Sequence, residues 1–287
     1  MKKLRAAFEK FINFIFLLCG ILSVILVLFI SIYLIISGIP AIRQIGLVNF
    51  LCGRDWSAGS NRFGILPFIL TSVYGTAGAV FLGIPLGIMT AVYLSKAAPK
   101  RLAFIVHSAV QLLAGIPSVV YGLIGMTILV PGIQKMFHLS SGACLLAAII
   151  VLTIMILPYI ISVSETALRA VPKEYEEASY ALGANETETW FQVSLPAAKS
   201  GIASAVIQGI GRALGEAMAI IMVAGNVPNL PTIFGPVRFL TTAIVSEMSY
   251  ATYGSLQRQA LFSIGLVLFF FIMLINGALR QYIRGRE

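Results

Sequence analysis

Six runs of this chain are each long and apolar enough to cross a lipid bilayer. A helix needs about 20 mainly apolar residues to do so. The runs are Phe11 to Ser37, Leu66 to Leu94, Val106 to Val130, Ala143 to Val163, Ile202 to Ala224 and Leu261 to Leu279. They specify an all-α integral membrane protein with six transmembrane helices. Composition agrees: 59% of the 287 residues are hydrophobic and only 11% are charged. A soluble domain of this length carries about 25% charged residues. Too little polar surface remains to coat a globule, so lipid must solvate part of it. The first run exceeds the apolar stretch of a cleaved signal peptide and is expected to be retained. The net charge of +9 falls in short blocks between apolar runs, which argues against nucleic acid as a partner.

Six spans put both ends on one side, and the cations choose the side. Lys2, Lys3, Arg5, Lys10, Lys96, Lys100, Arg101, Arg169, Lys173, Lys199, Arg280, Arg284 and Arg286 fall on one face. The opposite face has Arg43, Arg54, Arg62, Lys135, Arg238 and Arg258. The bias of thirteen to six predicts cytoplasmic termini. Two segments need separate readings. From about Asn226 to Gln259 the outer segment is semi-apolar and holds Pro228, Pro231 and Pro236. It is a candidate to dip into the membrane, where irregular backbone survives only inside protein or beside water. The other is the inner loop from about Ser164 to Ser200.

That loop contains PKEYEEASYALGANETETWFQVSLPAAKSG. Pro172 suits a helix start, and Glu174, Glu176 and Glu177 favour a positive helix N-terminus. Ala178, Ala181 and Leu182 give a shallow apolar surface, and Gly183 suits the left-handed residue that ends a helix. A second short helix is expected near Glu186 to Val193, with Pro196 opening the fifth span. The physics alone leaves a docking surface and a solvated acidic loop equally open.

Glu177-Ala178-Ser179, then Gly183, then Val193-Ser194-Leu195-Pro196 resembles the EAA loop of ABC importer permeases. There Glu-Ala-Ala is followed at fixed spacing by Gly and by Ile-x-Leu-Pro; Ser179 and Val193 depart from it slightly. FGILPFILTSVYGT (Phe63 to Thr76), QLLAGIPSVVYGL (Gln111 to Leu123) and GIGRALGEAMAIIMVAGN (Gly209 to Asn226) are similar to the phosphate importer permeases. The last stretch resembles the PstC-type subunit more than its PstA-type partner. The resemblance implies a type I ABC importer permease fold in a bacterial inner membrane. It implies that Glu177, Ala178, Ser179, Gly183, Leu195 and Pro196 form the loop that couples to the ATPase. Implied partners are a second, PstA-type permease, two PstB-type ATPase subunits and an external PstS-type phosphate-binding protein. ATP and Mg would sit on the ATPase, with no cofactor and no covalent chemistry on this chain. The expected division is 1–64 for the tail, first helix and external loop, 65–280 for the importer domain, and 281–287 for a cytoplasmic tail.

Arg212 and Glu216 lie in the middle of the fifth span, four residues apart, and are expected to share one helix face. A charge at a helix centre costs roughly 2.5–3.5 kcal/mol on insertion scales, and such residues usually face a bundle interior or a water path. The resemblance makes Arg212 a candidate for meeting phosphate, because its planar fork suits anionic oxygens. Glu216 would hold the fork and keep the anion from binding too tightly to leave. The alternative is a structural ion pair. Ser118 and Tyr121 are further candidates for lining the path. Pro85, Pro117 and Pro158 interrupt helix bonding and are candidate bends.

The chain has no G-x-x-x-x-G-K-[ST] phosphate loop. GIGRALG has the wrong spacing for a dinucleotide site; Gly211 and Gly215 instead suggest close helix packing. Cys19, Cys52 and Cys144 form neither a disulfide framework nor a metal site. His107 and His138 have no Cys, Asp or Glu at ligand spacing. An intramembrane enzyme would need a nucleophile with a base, or a metal cluster. An ATPase-independent ion-coupled carrier would not need an EAA loop. A permease for another oxyanion, molybdate or sulfate, is the nearer alternative.

Overall fold

The computed structural model describes residues 2–284. Residues 285–287, and the side chains of Lys2, Lys3, Arg5, Lys10, Arg280 and Arg284, which carry part of the charge bias, lie outside that description. Helix α1 (Lys2–Ile45) and the short α2 (Leu47–Cys52) lead into a small antiparallel pair, β1 (Trp56–Ser57) and β2 (Arg62–Phe63). Helix α3 (Leu66–Val92) closes in a π-helical turn at Tyr93–Ala97. Then come α4 (Lys100–Gly115), α5 (Ser118–Ile124), a π-helical turn at Gly125–Leu129, and α6 (Val130–Met136). Helix α7 (Leu145–Arg169) precedes the loop helices α8 (Lys173–Ala181) and α9 (Glu186–Thr189). A π-helical turn at Trp190–Ser194 and α10 (Leu195–Ala197) lead to α11 (Lys199–Gly215) and α12 (Met218–Val223). Finally α13 (Leu240–Glu247) precedes α14 (Leu256–Arg284).

Five described helical stretches are long and apolar enough to span: Phe11–Ile45, Leu66–Ala97, Ser118–Met136, Leu145–Arg169 and Leu256–Ala278. Two expected spans are not continuous helices. The third breaks at Pro117, and its predecessor Ile116 is extended (φ −70°, ψ 128°), as a residue before proline tends to be. Pro117 has no N–H to give Leu113 O; the Tyr121 hydroxyl donates to that carbonyl instead, at 2.7 Å. The fifth breaks at Glu216 (φ −76°, ψ 125°) without any proline. Gly215 weakens the helix there, and other groups take up the freed backbone. Glu216 Oε1 accepts from Ala219 N–H at 3.1 Å, and Thr241 Oγ1 donates to Glu216 O at 2.7 Å. The fourth helix runs past the expected Val163 to Arg169, so Glu165 is buried in it rather than placed in a loop.

The core centres on α7, which packs between α3, α11 and α12. Gly83 and Gly87 of α3 face Ile156 and Ile160, where an added Cβ would come within 2.7 and 2.6 Å. Missing side chains let the two backbones close up, which is how helices associate in lipid. Ile202, Ala205, Gly209 and Ala213 form the buried stripe of α11. Gly211 and Gly215 lie off that stripe, and an added Cβ at either meets nothing within 4 Å. The small-residue contact expected of that pair is therefore made by Gly209, against Ile160. A second core joins the last part of α1 to α13 and α14. Ser263 Oγ donates to Gly38 O at 2.6 Å, and Tyr33 meets Phe262 edge-on at 5.5 Å.

The proline-rich 226–239 segment is irregular but held by protein. Val237 N–H donates to Ala224 O at 2.8 Å, and Leu240 N–H to Ser72 Oγ at 3.0 Å. Phe239, Leu240, Thr241, Thr242 and Ala243 are buried.

Candidate functional site

At the cation-rich end the loop folds as its residues dictate. Helix α8 follows Pro172 and is ended by Gly183 at φ +88°. Gly183 N–H donates to Tyr180 O at 2.9 Å, and Ala184 N–H to Ser179 O at 3.2 Å. Asn185 and Glu188 then form a reciprocal capping box on α9. Glu177, Ala178 and Gly183 face outward, beside Tyr175, Tyr180 and Leu182, which is 90% exposed. Ser179 is buried beneath them, its Oγ 2.9 Å from Thr189 Oγ1. The small departure from Glu-Ala-Ala thus stitches α8 to α9. Leu195 packs with Trp190 against Leu168, Val171, Ala198 and Ile202, and Pro196 is exposed at the start of α10.

Glu176, expected only to favour the start of α8, also fastens this loop to the bundle. It accepts from Lys96 and, at 2.8 Å, from Ser194 Oγ. Burial pushes the Glu176 carboxyl up. The hydrogen bonds from Lys96 and Ser194, with the charges of Lys96 and Lys173, outweigh this and leave it below the usual carboxylate value. A lowered folded value means its stabilisation is present at neutral pH and is lost only as pH falls through that value. The contact also puts two cation-rich loops on one end, as the charge bias requires. Glu176→Ala leaves Lys96 with only 12% of its side chain exposed and no partner. The expected loss is about 2 kcal/mol, below the fully buried figure because some solvent remains. Thermal unfolding in detergent, with hydrogen exchange at α8, checks it.

Mid-bundle, Arg212 and Glu216 do not form the expected pair. The helix ends between them, and the Glu216 carboxylate turns to cap α12. Among the described residues no carboxylate lies within ion-pair distance of Arg212. Its Nε is buried without a hydrogen-bond partner. The guanidinium lies over the ring of Tyr159, 5.1 Å from its centroid. The hydroxyl of Tyr121, on α5, is committed to Leu113 O. Ser118 is half-buried in the first turn of α5, just past the Pro117 break. A cation thus stands one turn before the Glu216 break, with no carboxylate among the described residues to neutralise it.

Two further polar clusters escaped the sequence reading because each is closed by a distant contact, His107 with Glu165 and Trp56 with Glu247. His107 Nδ1 lies 3.2 Å from Glu165 Oε2, and Arg169 Nη2 2.7 Å from Glu165 Oε1. Gln111 Nε2 is 2.8 Å from His107 Nε2. So His107 has a carboxylate partner after all, 58 residues away. At the opposite end, Glu247 accepts from Trp56 Nε1, Arg238 Nη1 and Gln257 Nε2. Arg238 also donates to Asn226 O at 2.8 Å. This hub ties the hairpin to the segment that supports the Glu216 break.

The family model for the inner membrane component of binding-protein-dependent transport systems matches residues 83–286. A probable ABC transporter permease protein of Bacillus subtilis, YqgH, is 39% identical, with 90% of this chain and 86% of the relative covered. The phosphate transport system permease protein PstC of Haemophilus influenzae is 35% identical, with 88% and 85% covered. Among solved structures, the inward-facing MetNI methionine ABC transporter matches at TM-score 0.61 and 22% identity, over 77% of this chain and 95% of that one. That likeness is one of fold.

Proposed function

Because the chain belongs to the family of inner membrane components of binding-protein-dependent transport systems, we propose that it is a permease subunit of an ATP-driven importer of inorganic phosphate. It forms half of the pathway and works by alternating access. The observation that carries this is Arg212, a guanidinium with no counter-charge among the described residues, one turn before the break at Glu216. Such a group offers an oxyanion a fork of donors, and relatives named phosphate transport permeases support phosphate as the cargo. A second, PstA-type permease encloses the path from the other side. The exposed face of α8, with Glu177, Ala178 and Gly183, docks on one of two ATPase subunits, where ATP and Mg are bound. A phosphate-binding protein delivers the anion outside. Closure of the ATPases pulls the two docked loops and turns the pathway outward; hydrolysis returns it. Both termini are cytoplasmic, as the cation bias predicts.

The test is purification of the assembled complex, then ATPase and uptake assays in proteoliposomes with phosphate, sulfate and molybdate. Phosphate alone should stimulate both. Stimulation by sulfate or molybdate instead would reassign the cargo, and uptake without any ATPase would overturn the importer reading. In intact cells, cysteines at positions 2 and 286 should label only from the cytoplasm, and one at position 59 from outside. Labelling of 2 and 286 from opposite faces is incompatible with six spans.

A further inference from the structure

We propose that Tyr159 is the positioning residue of the anion site. It holds the Arg212 guanidinium by its ring face and leaves the charge free for the incoming anion. The inference rests on the pathway reading above and deepens it. A carboxylate could hold Arg212 as well, but it would neutralise the charge and compete with the anion for the same donors. The one acid nearby in sequence, Glu216, is engaged at Ala219 instead. An aromatic face attracts a cation through its quadrupole, within about 6 Å of the centroid, without adding a formal charge. Tyr159 meets that condition at 5.1 Å. It sits beside the buried residues Pro158 and Ile160 in α7, the most enclosed helix, so its ring is carried by a rigid element. With its face covered, a planar guanidinium presents its edge, where the N–H groups that bind tetrahedral oxyanions lie.

The experiment measures inorganic phosphate uptake per assembled complex in proteoliposomes, with binding protein at saturation. The variants are Tyr159→Leu, Tyr159→Phe, Arg212→Gln and the Leu/Gln double variant. Tyr159→Leu should slow uptake about tenfold, equivalent to ~1.4 kcal/mol. Tyr159→Phe keeps the ring and should stay within about twofold of wild type. In the Arg212→Gln background, Tyr159→Leu should add nothing, because the group it positions is gone. If the Leu variant does not assemble, Tyr159→Met replaces it as the ringless form. Uptake at the wild-type rate in the ringless variant overturns the proposal, and so does a Phe variant as slow as the Leu one. An additive loss in the double variant overturns it too. Those outcomes with Arg212→Gln still impaired leave the pathway reading standing; wild-type uptake in Arg212→Gln removes that reading itself.

Discussion

Arg212→Met is expected to lower phosphate uptake about 100-fold per assembled complex, the size of a lost charge-assisted contact to an anion. Assembly should be nearly unchanged, because among the described residues Arg212 makes no ion pair that its loss would leave broken. Glu216→Gln should do the opposite. Its amide oxygen can still accept from Ala219 N–H, but more weakly than a carboxylate, so complex yield should fall modestly while the rate per complex stays within about threefold. The double variant should show the sum of the two effects, since the side chains act separately. A true buried ion pair behaves otherwise: losing one partner strands the other, and removing both relieves it. Complex yield and normalised uptake for the three variants decide. A double variant that assembles better than Glu216→Gln alone would restore the ion pair. Wild-type uptake by Arg212→Met would remove the arginine from the pathway.

Gly183→Val should uncouple the subunit from its ATPase and reduce ATPase copurification by about tenfold. Gly183 holds φ +88°, which a β-branched residue adopts only with strain, although an added Cβ would meet nothing within 4 Å. The damage is therefore conformational. It unwinds the end of α8 and turns Tyr180, Leu182 and the exposed face beside them out of register. Gly183→Asn should retain most coupling, because Asn tolerates the left-handed region. Membrane insertion should be untouched in both. Copurification and phosphate uptake measure the outcome. A valine variant that keeps wild-type values for both sinks the docking role of this loop.

Periodicity, hydropathy and turn chemistry determined much by themselves. Long apolar runs must be helices in lipid, since no other open-ended backbone satisfies its hydrogen bonds there. Pro172 and Gly183 bounded α8 because each fixes its own backbone angles, whatever surrounds it. Leu195 and Pro196 followed at the spacing of the loop, and the second short helix began at Glu186 as expected. Where side chains meet across the fold was decided only by tertiary structure. A four-residue spacing implied that Arg212 and Glu216 share a face, and that holds only while the helix is continuous. Gly215 weakens the helix locally, but the break at Glu216 is sustained by Thr241, from a segment 25 residues on, which no local pattern announces. The same limit hid Lys96 from Glu176, His107 from Glu165 and Trp56 from Glu247. Each pair is made by packing elements that sequence keeps apart. Backbone preference is a local property of residues and can be read in order along the chain. The partner of a buried charge is a property of the packed bundle, because burial leaves it whichever dipole, ring or opposite charge the neighbouring helices bring.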